Sequence, residues 1–245
     1  MTTRIVTIAE RPELADEGIP DEEVWPEYNL HGDVTTLVWQ RLYDELPGFQ
    51  FVLVDGESDQ VLAEGHTVPC WWDGDDDTLG SGLDDTLGNA FDRLDAGGGA
   101  NTLCAVAAEV PPRSQGRGLA RALLQAMGTI ADRHELTHLI APVRPSWKER
   151  YPITPIERYV TWRWDDGRLF DPWMRVHESL GARVGLTIPR SLRITGSVAD
   201  WEGWTGLVFP ESGSYVFPHG LAPVDIDHDA GTGRYWEPNV WMIHR

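Results

Sequence analysis

The hydrophobic positions of this chain follow two rhythms, one of two residues and one of three to four. Arg4 to Ala9 (RIVTIA) alternates and is β-branched, which predicts a strand. From Asp33 to Leu46 the period lengthens: Val34, Val38, Leu42 and Leu46 recur four apart behind Asp33, a residue suited to an N-cap, and Pro47-Gly48 stops the run. That predicts a helix. Phe49 to Val54 (FQFVLV), a turn at Asp55-Gly56, and Gln60 to Trp72 predict two antiparallel strands. Ala100 to Val110 (ANTLCAVAAEV) is almost continuously apolar, as a strand covered on both faces is. After Pro111-Pro112, Leu119, Leu123, Met127 and Ile130 share one helical face, and His138 to Val143 (HLIAPV) reads as a second buried strand. Strand, glycine-rich turn, helix and strand in this order form a βαβ unit with a parallel pairing.

Residues 73–99 break the pattern with a run of aspartates and end in Gly97-Gly98-Gly99; they read as a solvated acidic loop leading into a short helix. Asp73, Asp75, Asp77, Ser81 and Asp84 imitate calcium-loop spacing, but Thr78 stands where the sharp turn wants glycine. No metal site is expected, and the run Asp225, Asp227, His228, Asp229, which lacks a second cluster, reads as a loop.

Composition narrows the function classes. A net charge of −19 opposes broad nucleic-acid binding. No window approaches the roughly 18 uninterrupted apolar residues of a membrane span, and the start of the chain lacks a charged-then-apolar signal pattern. The expectation is a cytoplasmic protein of one domain over residues 1–245. Cys70 and Cys104 are the only cysteines, expected as reduced, half-buried thiols. Twelve tryptophans, each an apolar body with one N–H to satisfy, suit a lined pocket.

The segment that carries chemistry is Gln115-Gly116-Arg117-Gly118-Leu119-Ala120, where a strand turns into a helix. Its glycines let backbone N–H groups converge, the helix start adds positive potential, and Arg113, Arg117 and Arg121 are nearby, so a diphosphate fits. It is neither a dinucleotide fingerprint, which wants glycine at Arg121, nor a Walker loop, which wants Gly-Lys-Ser/Thr.

The segment resembles the signature Q/R-x-x-G-x-G/A of the GNAT superfamily of N-acetyltransferases, with Gln115, Gly118 and Ala120 at the fixed positions and Val110-Pro111-Pro112 similar to the preceding V-x-P. Pro172 to Ala182 (PWMRVHESLGA) is similar to a second family element, with Glu178 and Gly181 in place, Ala182 where phenylalanine is usual and His177 where many members carry tyrosine. The resemblance covers residues 4 to about 185. It implies an α/β (α+β) fold: a mixed β-sheet, splayed between its fourth and fifth strands and flanked by helices. It also implies acetyl-CoA or another acyl-CoA in the gap, with pantetheine along Ala108 to Val110 and the diphosphate on residues 116–121. The reaction implied is direct attack of a small-molecule amine on the thioester.

Glu109, placed by alternation at the mouth of the splay, is the candidate base, with a structural carboxylate as the competing reading. His177 is the candidate acid, with an ordinary helix polar residue as its competitor. A catalytically silent CoA-binding or ligand-sensing module is the alternative to an enzyme. A donor carried on an acidic protein is disfavoured by the charge, and a homodimer stays open.

Two stretches exceed the family pattern. Arg144 to Asp171, before the fourth helix, holds Trp147, Tyr151, Tyr159, Trp162 and Trp164, and reads either as a lid or acceptor wall or as an extra packed helix. Residues 183–245 form an extended C-terminal β region, in which Ser191 to Val198 and Asn239 to His244 read as strands of a closing hairpin.

Overall fold

A computed structural model describes residues 3–19 and 24–245. Nine strands form one sheet: β1 (Thr3–Thr7), β2 (Gln50–Asp55), β3 (Val61–Cys70), β4 (Thr102–Glu109), β5 (His138–Val143), β6 (Arg183–Ser197), β7 (Gly213–Tyr215), β8 (Val224–Asp227) and β9 (Thr232–Ile243). Their order is β1-β2-β3-β4-β5-β9-β8-β7, with β6 on the other edge of β9. All pairings are antiparallel except β4 with β5, the expected βαβ unit.

Alternation sorts the core. Phe51 and Leu53 of β2 face α3 (Leu119–Arg133), whose Leu119, Leu123, Met127 and Ile130 are buried as their spacing predicts. On the other face, α1 (Thr35–Glu45) and α2 (Leu83–Asp95) cover Val68, Cys104 and Trp241. Both cysteines are fully buried rather than half-buried, and burial pushes the Cys70 thiol up to about 12, so neither is a ready thiolate.

Several boundaries differ from the sequence reading. Asp33 does not cap α1; Val34 stands at that position, and the Asp33 carboxylate accepts from Arg193 Nε (2.5 Å) and Thr195 N (2.7 Å) of β6. A long-range partner has outcompeted the local one. Within the acidic stretch 73–99, α2 takes up 83–95, because Leu87, Ala90 and Phe91 give it a buried face. Asp73 and Asp75 fold back on their own loop, accepting from Asp75 N and Asp77 N. Asp225 and Asp227 belong to β8 instead of a loop, alternating outward while Val224 and Ile226 are buried. The closing hairpin is longer than expected: β6 and β9 pair from Arg183–Ile243 to Ser197–Thr232, and Val198 opens α6 (Val198–Thr205).

The stretch before α5 (Pro172–Glu178) contains a 3-10 turn at Lys148–Arg150 and the short helix α4 (Ile156–Tyr159). Tyr151, Tyr159, Trp162 and Phe170 pack edge to face on one another. Beneath them the sole lysine is buried, its Nζ donating to the carbonyls of Tyr151 (2.9 Å), Pro152 (3.4 Å) and Leu221 (2.6 Å). Desolvation lowers that ammonium to about 8. Lys148 thus pins this segment to the C-terminal region, whose own core gathers Tyr28, Trp201, Phe217 and Tyr235.

Candidate active site

The parallel pairing of β4 and β5 is confined to Thr102–Cys104 against His138–Ile140. Beyond it the strands part. Val106 is an extra residue in β4, since His66 pairs with Ala107 and Thr67 with Ala105, and such a bulge bends its strand. β5 meanwhile follows β9 to the Val143–Val240 pair. A cavity of about 1000 Å³ opens between Ala105–Ala108 on one side and Ala141–Val143 on the other. Its third wall is β9. β6 occupies one edge of that strand along its length, whereas β8 and β5 take only the two ends of the other edge. Glu237 and Asn239 lie on the uncovered stretch and line the cavity.

At one end stand Gln115, Gly116, Gly118, Leu119 and Ala120, all in the cavity wall with Ala108 and Val110. Gly116 and Gly118 have φ of +74° and +77°, a region costly for residues with a Cβ, and Gly118 leads directly into α3. No side chain caps this helix. Its first intrahelical bond is Ala122 N to Gly118 O at 3.1 Å, so the earlier N–H groups are free of intrahelical carbonyls. Aligned donors at a positive helix end make an anion site, and the unpaired β4 edge after Cys104 offers backbone to an extended arm. These residues fit a diphosphate followed by pantetheine. Gln115 Nε2 braces the turn by donating to Val110 O at 3.3 Å.

Two of the predicted cofactor residues, Arg117 and Arg121, do not line the cavity, though their backbone belongs to the glycine turn and the first turn of α3. Arg117 is exposed and outside the cavity wall. Arg121 also lies outside it and donates to Ser179 Oγ at 2.8 Å, tying α3 to the end of α5. For Arg121 this follows from helical geometry: residues of the first turn fan around the axis, so the face bearing Leu119 and Ala120 cannot also carry Arg121.

The predicted catalytic residues are both fully buried, at 0% for Glu109 and 1% for His177. His177 lines the cavity from α5. Its Nδ1 shares a hydrogen bond of 2.9 Å with His244 Nε2, Trp173 meets it edge-on, and its Nε2 has no partner among the described residues. Burial, aided by His244, lowers its pKa to about 3, so the ring is neutral at pH 7. Glu109 is not in the cavity wall. Its Oε1 accepts from Trp25 Nε1 at 2.7 Å, and it is that indole which lines the cavity. Behind it Glu109 pairs across the strands with Glu64, and His66 Nε2 is 3.5 Å from Glu64 and 3.9 Å from Glu109. Burial lowers His66 to about 3.

The rest of the cavity wall is legible in the sequence only in part, through the start of the 144–171 stretch, which reads there as a lid or acceptor wall. Trp25, Trp39 and Trp147 stand there with Arg144, Glu149, Arg150 and Glu237. Arg144 Nε donates to Glu237 Oε2 at 3.0 Å, and its Nη2 to Tyr28 Oη (3.0 Å) and His219 O (2.8 Å). Only the start of the 144–171 stretch faces the cavity; its aromatic remainder packs on itself.

A sheet parted after its fourth strand, with a glycine turn opening the next helix and one cavity spanning the gap, defines the class: an acyl-donor-binding fold of mixed α/β type. No family model matches the chain. It is 30% identical to the arginine N-acetyltransferase avaD of Aspergillus versicolor, over 97% of this chain and 92% of that protein. Among solved structures, the loading GNATL domain of CurA from Lyngbya majuscula superimposes with a TM-score of 0.58 at 16% identity, covering 99% of this chain and 96% of that one. The GphF GNAT-like decarboxylase in complex with isobutyryl-CoA does so at 0.56 and 18%, covering 100% and 98%. The chain belongs to the GNAT superfamily of N-acetyltransferases. It is therefore an enzyme that takes its acyl group from an acyl-CoA, and not a silent binding module. No helix among the described residues is long and apolar enough to cross a membrane.

Proposed function

We propose that the protein acetylates the primary amine of a small zwitterion of the amino-acid class, arginine being the first to test, by direct attack within a ternary complex. One observation carries this reading. Besides the glycine turn, the cavity wall holds both signs of charge, Arg144 and Arg150 with Glu149 and Glu237, among three indoles. A cavity that answers a carboxylate with guanidinium and a distal cation with carboxylate and aromatic faces suits a cationic amino acid. The relative named for arginine supports the choice.

In this reading the acyl-CoA diphosphate rests on the Gly116–Ala120 amides, and the thioester lies beside Ala108, between His177 and the acceptor. Attack forms the C–N bond while the C–S electrons pass to sulfur; His177 Nε2–H protonates the leaving thiolate. Glu109 takes the amine proton once the acceptor displaces the Trp25 indole from its carboxylate, with Glu64 and His66 holding it in place. Thiol release is measured with acetyl-CoA and a panel of arginine, agmatine, Nα-acetylarginine, glutamate and a neutral amine. Arginine turning over fastest, with agmatine weaker for want of a carboxylate, supports the proposal. A neutral or acidic best acceptor overturns it.

A further inference from the structure

His177 has its back to a second opening. Its Nδ1 meets His244 Nε2 at 2.9 Å, with ring centroids 5.1 Å apart, and His244 is half-buried in the wall of another cavity of about 280 Å³. That cavity, bordered by Trp72, His138, Gly181, Arg183 and Arg245, is distinct from the one holding the glycine turn. Two side chains therefore span the layer between the two cavities.

We propose that His177 and His244 form a proton relay that draws the proton for the leaving CoA thiolate from solvent in the second cavity. The inference rests on the acid role of His177 proposed above. One imidazole nitrogen of the pair must donate in the 2.9 Å contact and the other accept. When His244 Nε2–H donates to His177 Nδ1, the proton of neutral His177 sits on Nε2, the nitrogen that no described protein group occupies.

Transfer then needs no lasting charge. A buffer acid gives its proton to His244 Nδ1, His244 Nε2–H passes to His177 Nδ1, and His177 Nε2–H passes to sulfur. The S–H bond forms, the buffer is left as its conjugate base, and both rings end neutral with their tautomers exchanged. Once the products have left, the amine proton held by Glu109 passes through water in the main cavity to His177 Nε2, His177 Nδ1–H returns to His244 Nε2, and His244 Nδ1–H returns to the buffer base, so that both rings and the carboxylate regain their starting states.

The surroundings favour this over a stored imidazolium. The charged groups bordering the second cavity are Arg183, paired with Asp76, and Arg245, paired with Asp132. His138 is the remaining titratable group there, and Trp173 packs on His177 from the other side. Among the described residues no acidic side chain lines the second cavity, and Asp76 and Asp132 are taken up by Arg183 and Arg245. Burial keeps both rings neutral at pH 7, with His244 lowered to about 4. His244 acts through His177 and is a positioning and proton-supplying residue.

The test compares His177→Gln, His244→Gln and His244→Ala, using acetyl-CoA and the best amine of the panel above, in single-turnover thiol release. His244→Gln should leave the KM for acetyl-CoA unchanged and slow release about tenfold, because an amide can donate to His177 Nδ1 yet cannot pass a proton on. Added imidazole should restore His244→Ala and leave His177→Gln slow. If His177→Gln is slow while His244→Gln runs at the wild-type rate, the relay fails and the acid reading survives. If His177→Gln runs at the wild-type rate, the acid reading itself fails. Folding of the variants is removed as a concern by a second measurement on the wild type labelled with 15N-histidine. CoA should shift the His244 nitrogens through the tautomer it selects and desulfo-CoA should not, whereas identical spectra with the two ligands overturn the relay.

Discussion

The two ends of the cavity are built in opposite ways. The proposed donor end is one stretch of chain, Gln115 to Ala120, which offers chiefly backbone N–H groups at the start of α3. The proposed acceptor end is assembled from Trp25, Trp39, Arg144, Trp147 and Glu237, which come from separate parts of the chain and offer side chains. A phosphate is the same in every acyl-CoA, so a local turn and a helix start suffice to hold it. An amine of particular shape and charge needs groups aimed from several directions, which no short segment supplies.

The largest way to break that contrast is Gly118→Val. A β-branched residue at φ +77° distorts the turn, and kcat/KM for acyl-CoA should fall roughly 100-fold, with acceptor KM unchanged. An equal loss at both ends would show that the ends are not independent. Next, Glu237→Gln should raise acceptor KM roughly 30-fold and leave acyl-CoA affinity intact by calorimetry. Because it removes the charge partner of half-buried Arg144, which keeps Tyr28 Oη and His219 O, it should also cost about 2 kcal/mol of stability, read from urea midpoints.

Lys148→Met probes the acceptor end without touching its wall. Three carbonyls lose their donor, so stability should drop by about 2 kcal/mol, and acceptor KM should rise more than acyl-CoA KM as Trp147 and Arg150 loosen. The smallest effect is acid sensitivity behind Trp25. His66 has a folded pKa near 3 against 6.5 unfolded, so its contribution is full above pH 6.5 and is lost as pH falls toward 3. At pH 5 the loss should be about 2 kcal/mol, and a pH series of urea midpoints on wild type and His66→Phe isolates it.

The same division separates what could be read in advance from what could not. The 115–120 turn was legible because strand, glycines and amphipathic helix follow one another along the chain, and each constraint is local. The Arg121–Ser179 contact was not legible, because proximity in sequence stands in poorly for direction around a helix axis. Asp33 was misplaced because capping is a local competition that β6 settled from 160 residues away. For Glu109, alternation told which face the carboxylate takes but not that an indole from the N-terminal region would lie over it. Glu237 gave no signal at all: a glutamate before proline becomes a cavity carboxylate only because β5 and β8 leave that part of β9 uncovered.

Sequence by itself determined the periodicities, the βαβ unit, the glycine turn and the family these point to, since all rest on interactions between residues a few positions apart. The tertiary structure decided the rest. It set which indole covers Glu109, which charges line the cavity, and that His177 is backed by His244, because each depends on strands whose edges are filled or left open by distant chain. Local free energies choose elements, and only the closing of the sheet chooses which side chains those elements bring face to face.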